Sequence, residues 1–462
     1  MKIKLLLLLS ITLTLSFCAK EEPLERFTGA ENEVRLMTVN PGHFHSFLIH
    51  RQDYHQIDPE AYVYAPEGSE VEIHTDRVAS FNNQEVNPTS WKLNVYTGDD
   101  YLEQMLAEKP GNVMVVAGNN QYKINYIHRA VENGINVLSD KPMIIHHDSF
   151  PLLKESLELA DEQGLVVNDM MTERYEITSI LQKKLSHIPE LFGELTKGSP
   201  EEPAIVKESV HFFYKTVAGA PLIRPPWFFD VSQQGESIVD VSTHLVDLIM
   251  LQAFPYDPID YRNPDDGVEV VSARSWSTEL TPDQFELITN TPAFPDYISS
   301  DLDENSVLHV AANGEFVFKF RDVYARAAAL WGFTNPDGGD THYSIIRGTK
   351  ANLIVHQDLE QDFKATLYVE PTEAADVENF EAILDNALES LSGQYSGLAK
   401  EWTDLGWEIQ IPDRYVETHE EHFGRVTMRF LDALVDGEIP EWERTNLLTK
   451  YFITTRAYEM SR

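Results

Sequence analysis

Short apolar segments alternate with helical patterns over the first part of the chain. The candidate strands cover residues 34–39, 61–64, 93–96, 113–117, 135–138 and 166–167. Apolar residues recur at helical spacing over 99–107, 122–132 and 150–163. Short strands that alternate with amphipathic helices are typical of a parallel sheet with helices on both faces. The pattern therefore predicts a doubly wound, Rossmann-type α/β domain over residues 33–190.

The pattern changes after about residue 190. Longer candidate strands lie at 205–214, 268–277, 307–312, 315–320, 343–347 and 364–369, with few helices between them. Such an arrangement favours an open, mainly antiparallel sheet. Residues 423–460 are helical by period. We therefore expect a second, α+β domain over residues 191–462, with a large sheet and C-terminal helices.

The first residues do not follow either pattern. Lys2 and Lys4 precede an apolar run over 5–17, and Cys18, the single cysteine of the chain, follows it. This order is typical of a secretory signal. We predict a signal peptide over 1–17, acylation of Cys18, a tether over 18–32, and a lipoprotein in the periplasm, outer membrane or cell surface. Plain cleavage with an incidental cysteine stays open.

The charge balance limits the class of partner. The 462 residues include 75 acidic and 36 basic side chains, and the formal net charge is −39. Binding to phosphate backbones or anionic lipid surfaces needs an excess of Lys and Arg. We therefore expect no nucleic-acid partner, and contact with a membrane only through the N-terminal lipid.

Two neighbouring strand ends carry polar residues in the first domain. Gly118 and Asn119 follow the strand at 113–117, and Asp140, Lys141 and Pro142 follow the strand at 135–138. Ligands of doubly wound sheets lie at the carboxyl ends of the strands, so these residues are expected to share one crevice. An ammonium there can polarise a hydroxyl or carbonyl group.

A second polar group lies near residue 240. Asp240, His244 and Asp247 have the i, i+4, i+7 spacing that places side chains on one face of a helix. Histidine transfers protons near neutral pH, and a nearby carboxylate can fix its tautomer or raise its pKa. An exposed polar helix face or a structural cluster is the other interpretation of this spacing.

Together the two groups resemble the Gfo/Idh/MocA oxidoreductase family. Its motifs are Glu-Lys-Pro after the fifth strand, where this chain has Asp-Lys-Pro over 140–142, and Asp-x-x-x-His-x-x-Asp, matched by 240–247. The resemblance covers about residues 34–370. It implies NAD or NADP as cofactor and hydride transfer at a carbon of a small carbohydrate, a sugar or polyol. Because free NAD is scarce outside the cytoplasm, an exported enzyme would need to bind this cofactor tightly. It also implies that Lys141 and His244 form the acid/base pair and that Asp240 supports them.

The first turn departs from the family pattern. Where a Gly-x-Gly-x-x-Gly or Ala turn is implied, the chain has Asn-Pro-Gly-His-Phe-His over 40–45, and only Gly42 remains. Gly42 and His43 are candidates to bind the cofactor phosphates. Other candidate cofactor contacts are Gly118, Asn119 and Asp140. Both His43 and His45 could instead simply pack. After the second strand, Glu67 is the candidate for the ribose hydroxyls, which would favour NAD over NADP.

Candidate substrate contacts are Asp247, Arg224 and Trp227. Aromatic rings beside a charged group can bind the face and hydroxyls of a sugar, although the 224–230 segment could equally be a packed loop. His419 and His422 lie at i, i+3, whereas the zinc motif has i, i+4, so we predict no metal. A pairing of these residues with His43 and His45 stays open.

Three functions follow from these expectations. The first is an NAD(P)-dependent oxidoreductase acting on a sugar, polyol or glycoside. The second is a glycoside-cleaving enzyme that works by transient oxidation and elimination, so that no net cofactor is consumed. The third is a non-catalytic surface protein that binds carbohydrate on the same scaffold. The open sheet face leaves a homo-oligomer open as well.

Overall fold

A computed structural model describes residues 26–217, 220–375 and 378–462. The predicted signal peptide and Cys18 lie outside the described residues. Over the described ranges, no helix has both the length and the apolar character to cross a bilayer. Arg26, in the predicted tether, donates through Nη2 to the Asp436 carbonyl at 3.1 Å, and Phe27 packs against a core cluster. The last residues of that segment therefore lie against the folded body.

The first sheet is parallel and has six strands in the order β3-β2-β1-β4-β5-β6. Its elements are β1 Leu36–Val39, α1 His45–Leu48, β2 Glu60–Ala65, α2 Ser69–Asn82, β3 Lys92–Thr97, α3 Tyr101–Glu108, β4 Val113–Val116, α4 Asn120–Glu132, β5 Asn136–Ser139, α5 Phe150–Gln163, β6 Val167–Asp169 and α6 Ile177–Ser186. Strands β1, β4 and β5 are entirely buried because helices cover both faces. The predicted Rossmann-type domain is confirmed.

The second sheet has nine strands in the order β10-β11-β12-β7-β13-β14-β15-β17-β16. The remaining elements are β7 Ile205–Phe212, β8 Thr216–Val217, β9 Ala220–Pro221, α7 Val231–Gln234, α8 Ser242–Ala253, β10 Glu269–Leu280, α9 Pro282–Thr289, β11 Leu308–Phe320, β12 Val323–Gly332, β13 Thr341–Arg347, β14 Ala351–Gln357, β15 Thr366–Pro371, α10 Phe380–Leu391, β16 Ala399–Thr403, β17 Gly406–Gln410, α11 His419–Asp436 and α12 Glu441–Met460. All pairings in this sheet are antiparallel except that of β12 with β7. The expected large, mainly antiparallel sheet is confirmed.

One difference from the predicted strands concerns the segment around Gly314. The sequence suggests two strands, 307–312 and 315–320, but the structure has the single strand β11. Asn313 stays in the sheet because its side chain accepts from the Trp331 amide at 2.8 Å and donates to Thr278 Oγ1 at 2.7 Å. A Cβ at Gly314 would lie 2.4 Å from Ile238 Cγ1. The glycine therefore lets the turn before α8 approach the sheet.

The C-terminal helices return to the first domain. Helix α11 supplies Phe423 and Phe430 to the core cluster that also contains Leu36 and Val115 of the parallel sheet. Helix α12 supplies Tyr451 to the cluster on the other face of that sheet. The last part of the chain therefore packs on both faces of the parallel sheet.

Candidate active site

The centre of the site is an ion pair between the two domains. Lys141 follows β5, and its Nζ lies 2.5 Å from Oδ1 of Asp240, which lies in the turn before α8. The side chains are only 9% and 10% exposed. Burial alone would lower the pKa of Lys141, but the Asp240 and Asp140 carboxylates outweigh it, and the pKa is raised. The side-chain amine of Lys141 is therefore protonated, as an ammonium, at neutral pH.

His244 lies in the first turns of α8, every residue of which is buried. Its Nδ1 is buried and has no hydrogen-bond partner. Burial and the Lys141 ammonium hold the pKa of His244 well below its usual value. A neutral imidazole thus lies within the field of the Lys141 ammonium. The expected shared helix face holds only for His244 and Asp247, since Asp240 precedes the first helical residue, Ser242.

Asp247 joins a different cluster. Arg174 donates to both of its oxygens, at 2.6 and 2.7 Å, and Lys450 Nζ lies 3.0 Å from Oδ1. Lys450 also lies 2.8 Å from Asp169 Oδ2 at the end of β6. Burial opposes ionisation, but Arg174 and Lys450 hold the pKa of Asp247 below its usual range. We therefore propose that Asp247 joins α8, α12 and the parallel sheet, rather than making the predicted contact with substrate.

The first turn is closed against the end of β4. The amides of Gly42 and His43 both donate to the Ala117 carbonyl, at 3.1 and 3.2 Å. A Cβ at Gly118 would lie 2.3 Å from the Asn40 carbonyl oxygen. Gly118 is therefore required by this close approach of two backbones.

Both histidines of the first turn contact the carboxylate of Asp140. His43 Nδ1 lies 3.1 Å from Oδ2, and His45 Nδ1 lies 2.9 Å from Oδ1. His419, the first residue of α11, stacks on His45 with ring centroids 5.1 Å apart. The pairing that the sequence left open thus exists for His419. Burial lowers the pKa of His45 to about 4, against the opposing effect of Asp140.

Asn119 connects the crevice to α7. Its oxygen accepts from the Gln121 amide at 3.0 Å and caps α4, and its nitrogen donates to Gln233 Oε1 at 2.6 Å. The neighbouring Gln234 donates from Nε2 to Asp240 Oδ2 at 2.9 Å. Both oxygens of Asp240 are therefore held, one by Lys141 and one by Gln234.

Glu67, predicted to bind ribose, is exposed just after β2, and its role stays a prediction. A second acid, Glu70, lies closer to the first turn. Glu70 accepts from Trp227 Nε1, and a Cβ on Gly42 would lie 2.9 Å from Glu70 Oε2 and 3.2 Å from the Trp227 ring. Trp227, predicted to contact substrate, therefore covers Gly42.

Arg224, the other predicted substrate contact, is 6% exposed. Its Nε donates to the Phe213 carbonyl at 3.0 Å. The guanidinium lies 4.6 Å from the Phe228 ring centroid and 5.0 Å from that of Trp331. These contacts make it an anchor of the aromatic cluster at the wall of the crevice.

A polar cluster on the large sheet borders this wall. His211 joins Asp340 through Nδ1 at 2.8 Å and Ser209 Oγ through Nε2 at 2.6 Å. His342 Nδ1 lies 2.9 Å from the same Ser209 oxygen. Lys215 Nζ lies 2.6 Å from Asp340 Oδ2. The cluster offers donors and acceptors of the kind that bind sugar hydroxyls.

Two further residues of the site, one of them buried and one partly buried, were not predicted. Lys123 is 0% exposed and donates to the Asp140 carbonyl at 3.0 Å. The pKa of Glu173, which follows β6, is raised to about 7 by burial and Glu176, against the opposing effect of Lys141. Glu173 could have been found by following every strand of the parallel sheet to its carboxyl end. A lysine in the middle of α4 gives no such signal.

The two sheets and the buried pair between them define the class of protein. A Rossmann-type domain followed by a large open sheet is the architecture that the resemblance to the Gfo/Idh/MocA oxidoreductases implies. Residues 181–462 match the family described as "Putative oxidoreductase C terminal domain", and the chain belongs to this family. The prediction of an oxidoreductase is confirmed at the level of its family.

Solved structures share this fold. A structure described as "a putative oxidoreductase from Parabacteroides merdae ATCC 43184" is 48% identical, with a TM-score of 0.92, over 95% of this chain and 99% of that one. KijD10, a 3-ketoreductase from Actinomadura kijaniata in complex with NADP and TDP-benzene, is 12% identical, with a TM-score of 0.55, over 91% and 96%. GenD2 from gentamicin A biosynthesis, in complex with NAD, is 14% identical, with a TM-score of 0.54, over 95% and 96%. No protein of curated function matches this sequence.

The residues of the crevice fit one end of a dinucleotide. The β1–β4 boundary, where the strand order reverses, is the usual binding position in such sheets. Lys141 and the unpartnered Nδ1 of His244 suit the ring end. At the phosphate end, the Gly42 and His43 amides already donate to Ala117. The phosphates would therefore contact side chains more than this turn's amides.

Proposed function

We propose that this oxidoreductase uses NAD or NADP to transfer a hydride at a carbinol carbon of a sugar, polyol or glycoside. The observation that carries the proposal is the buried Lys141–Asp240 pair, whose ammonium acts electrostatically on the buried His244 ring with its unpartnered Nδ1. A permanently charged donor and a neutral acceptor are the two groups that oxidation of a hydroxyl needs. The relatives crystallised with NADP and NAD support the choice of cofactor through the shared fold.

Each residue has a separate role in this proposal. The bound cofactor would accept or return the hydride. His244, neutral because of burial and Lys141, takes the hydroxyl proton during oxidation. The Lys141 ammonium donates a hydrogen bond to the oxygen as negative charge develops on it. Asp240 is a positioning residue, because it holds the ammonium while Gln234 holds Asp240.

The side chains at the wall of the crevice favour a substrate with several hydroxyl groups. The cluster of Ser209, His211, Lys215, Asp340 and His342 places imidazole, hydroxyl, ammonium and carboxylate groups on one part of the sheet. In this cluster, the Oδ1 atom of Asp340 is buried and has no hydrogen-bond partner. A buried acceptor without a donor costs about 1–3 kcal/mol, which a substrate hydroxyl would offset.

The first test identifies the cofactor. The full chain would be denatured directly after purification, and the released small molecules would be analysed by mass spectrometry. NAD or NADP at near one equivalent is expected. Calorimetric titration with NAD⁺ and NADP⁺ provides a second measurement, and no binding in either experiment would contradict the proposal.

The second test assigns the roles. A panel of sugars, polyols and glycosides would be followed by NADH absorbance with wild-type protein, Lys141→Met and His244→Gln. Both variants should lose at least about 100-fold in kcat, whereas Lys154→Met, at a partly exposed pair, should not. Release of free sugar from a glycoside without added cofactor would point to the transient-oxidation reaction instead.

A further inference from the structure

Two histidines and a carboxylate meet at the carboxyl ends of β1 and β5. His43, His45 and Asp140 place one nitrogen or oxygen atom each within 4.8 Å of the others. The Asp140 carboxylate contacts both rings, with His43 Nδ1 at 3.1 Å from Oδ2 and His45 Nδ1 at 2.9 Å from Oδ1. In the part of the chain that the structure describes, this is the one group of three or more His, Cys, Asp or Glu residues with such a geometry.

Two of the three side chains of the cluster are shielded from solvent. His45 is 4% and Asp140 is 2% exposed. The His45 ring packs against the rings of His419 and Phe423, with centroids 5.1 and 5.5 Å away. Its Nε2 is buried without a hydrogen-bond partner. Among the described residues, Asp140 at Nδ1 is therefore the one hydrogen-bond partner of this ring.

We propose that His43, His45 and Asp140 bind one divalent metal ion of the zinc class. Ligand atoms that lie about 2.1 Å from a common ion are about 3.0–3.4 Å apart at coordination angles near 90–110°. The two observed nitrogen–oxygen distances of 2.9 and 3.1 Å are close to this range. One nitrogen of each ring thus already faces the carboxylate that would share the ion with it.

Access and donor type specify the ion further. The His43 side chain is 18% exposed, so the site opens to solvent on that side. Imidazole donors suit zinc, cobalt and nickel, whereas magnesium and calcium prefer an all-oxygen environment. The site should therefore select a transition metal over the hard cations. This inference does not depend on hydride transfer.

The experiment uses the full chain, stripped of metal with a chelator and then titrated with Co²⁺, Zn²⁺ and Mg²⁺. We expect one equivalent of Co²⁺ to bind with visible d–d absorption, Zn²⁺ to displace it, and Mg²⁺ to leave the spectrum unchanged. Elemental analysis after dialysis against Zn²⁺ should give one ion per chain. No visible band, or binding of Mg²⁺ as tight as that of Zn²⁺, would overturn the proposal.

Variants locate the ion. His43→Ala and His45→Ala should each weaken Zn²⁺ binding by at least about 100-fold, which is more than loss of an outer-shell partner causes. His309→Ala, at an exposed position on β11, should bind as wild type does. Asp140→Asn keeps the shape of the side chain and serves if an alanine variant fails to fold. Equal Zn²⁺ affinity in Asp140→Asn and wild type would refute the assignment.

Discussion

Lys141→Met tests whether the ion pair between the domains is as strongly coupled as its burial suggests. The substitution keeps much of the apolar stem but removes the ammonium, and it leaves the Asp240 carboxylate about nine-tenths buried without its partner 2.5 Å away. Breaking a buried pair from one side costs about 3–5 kcal/mol. We expect the free energy of unfolding to fall by this amount.

The double variant Lys141→Met/Asp240→Asn separates charge from packing. Without either charge, no ion is left unpaired, so most of the lost stability should return. Denaturant unfolding of the wild type, both single variants and the double variant completes a mutant cycle. Lys154→Met, in a partly exposed pair, controls for loss of a lysine.

Two results would refute this reasoning. If Lys141→Met unfolds at the wild-type free energy, the pair is not coupled in the folded protein. If the double variant is as unstable as the sum of the single ones, the loss comes from packing rather than from the unpaired carboxylate. In either case activity should stay low in the double variant, because the donor to the developing oxyanion is missing.

Three shorter predictions follow. Gly118→Ala should lower the free energy of unfolding by about 1–3 kcal/mol, because the new Cβ would lie 2.3 Å from a backbone oxygen of the first turn. In the control Gly393→Ala the new Cβ meets nothing within 4 Å, so the free energy of unfolding should stay the same. Thermal unfolding of both variants tests this difference. Asp247→Asn should lower the free energy of unfolding by about 3–5 kcal/mol, because Arg174 and Lys450 lose the carboxylate that they contact. Asp322→Asn, which removes an exposed carboxylate, should leave the free energy of unfolding nearly unchanged in the same denaturant series. Burial lowers the pKa of His74 to about 4, below its unfolded value of about 6.5, so its unfolded form binds a proton first as the pH falls. Stability should therefore drop between pH 6.5 and 4, by about 1.4 kcal/mol per pH unit for this group, and a His74→Gln variant with an unchanged slope would contradict this.

The sequence predicted the six strands and three helices of the first domain because their signals are local, but it missed the helices α1, α2 and α6. Helix 150–163 was predicted with its observed bounds, Phe150–Gln163, since a glycine follows it directly. Six strands of the parallel sheet were found within a few residues. The strand end before Lys141 was located from hydrophobic spacing, whereas Asp240 was expected on a helix face and instead precedes Ser242, the first residue of α8.

Several features of the site depend on contacts that no local pattern contains. His45 and Asp140 are 95 residues apart in the chain, and they meet only because β1 and β5 end at the same edge of the sheet. Trp227 covers Gly42 because Glu70, 157 residues from Trp227, accepts its indole N–H. The spacing of polar residues cannot show which pairs meet.

The hydrophobic and polar pattern thus determined the two kinds of sheet and the positions of Lys141 and His244, since each depends on residues a few positions apart. Tertiary structure decided the partners of Asp247 and the place of His419. Both depend on the return of α11 and α12 to the parallel sheet, where apolar faces are buried together. Burial of apolar area is non-directional, so the pattern shows that these helices must be covered, and only the packed structure shows by what.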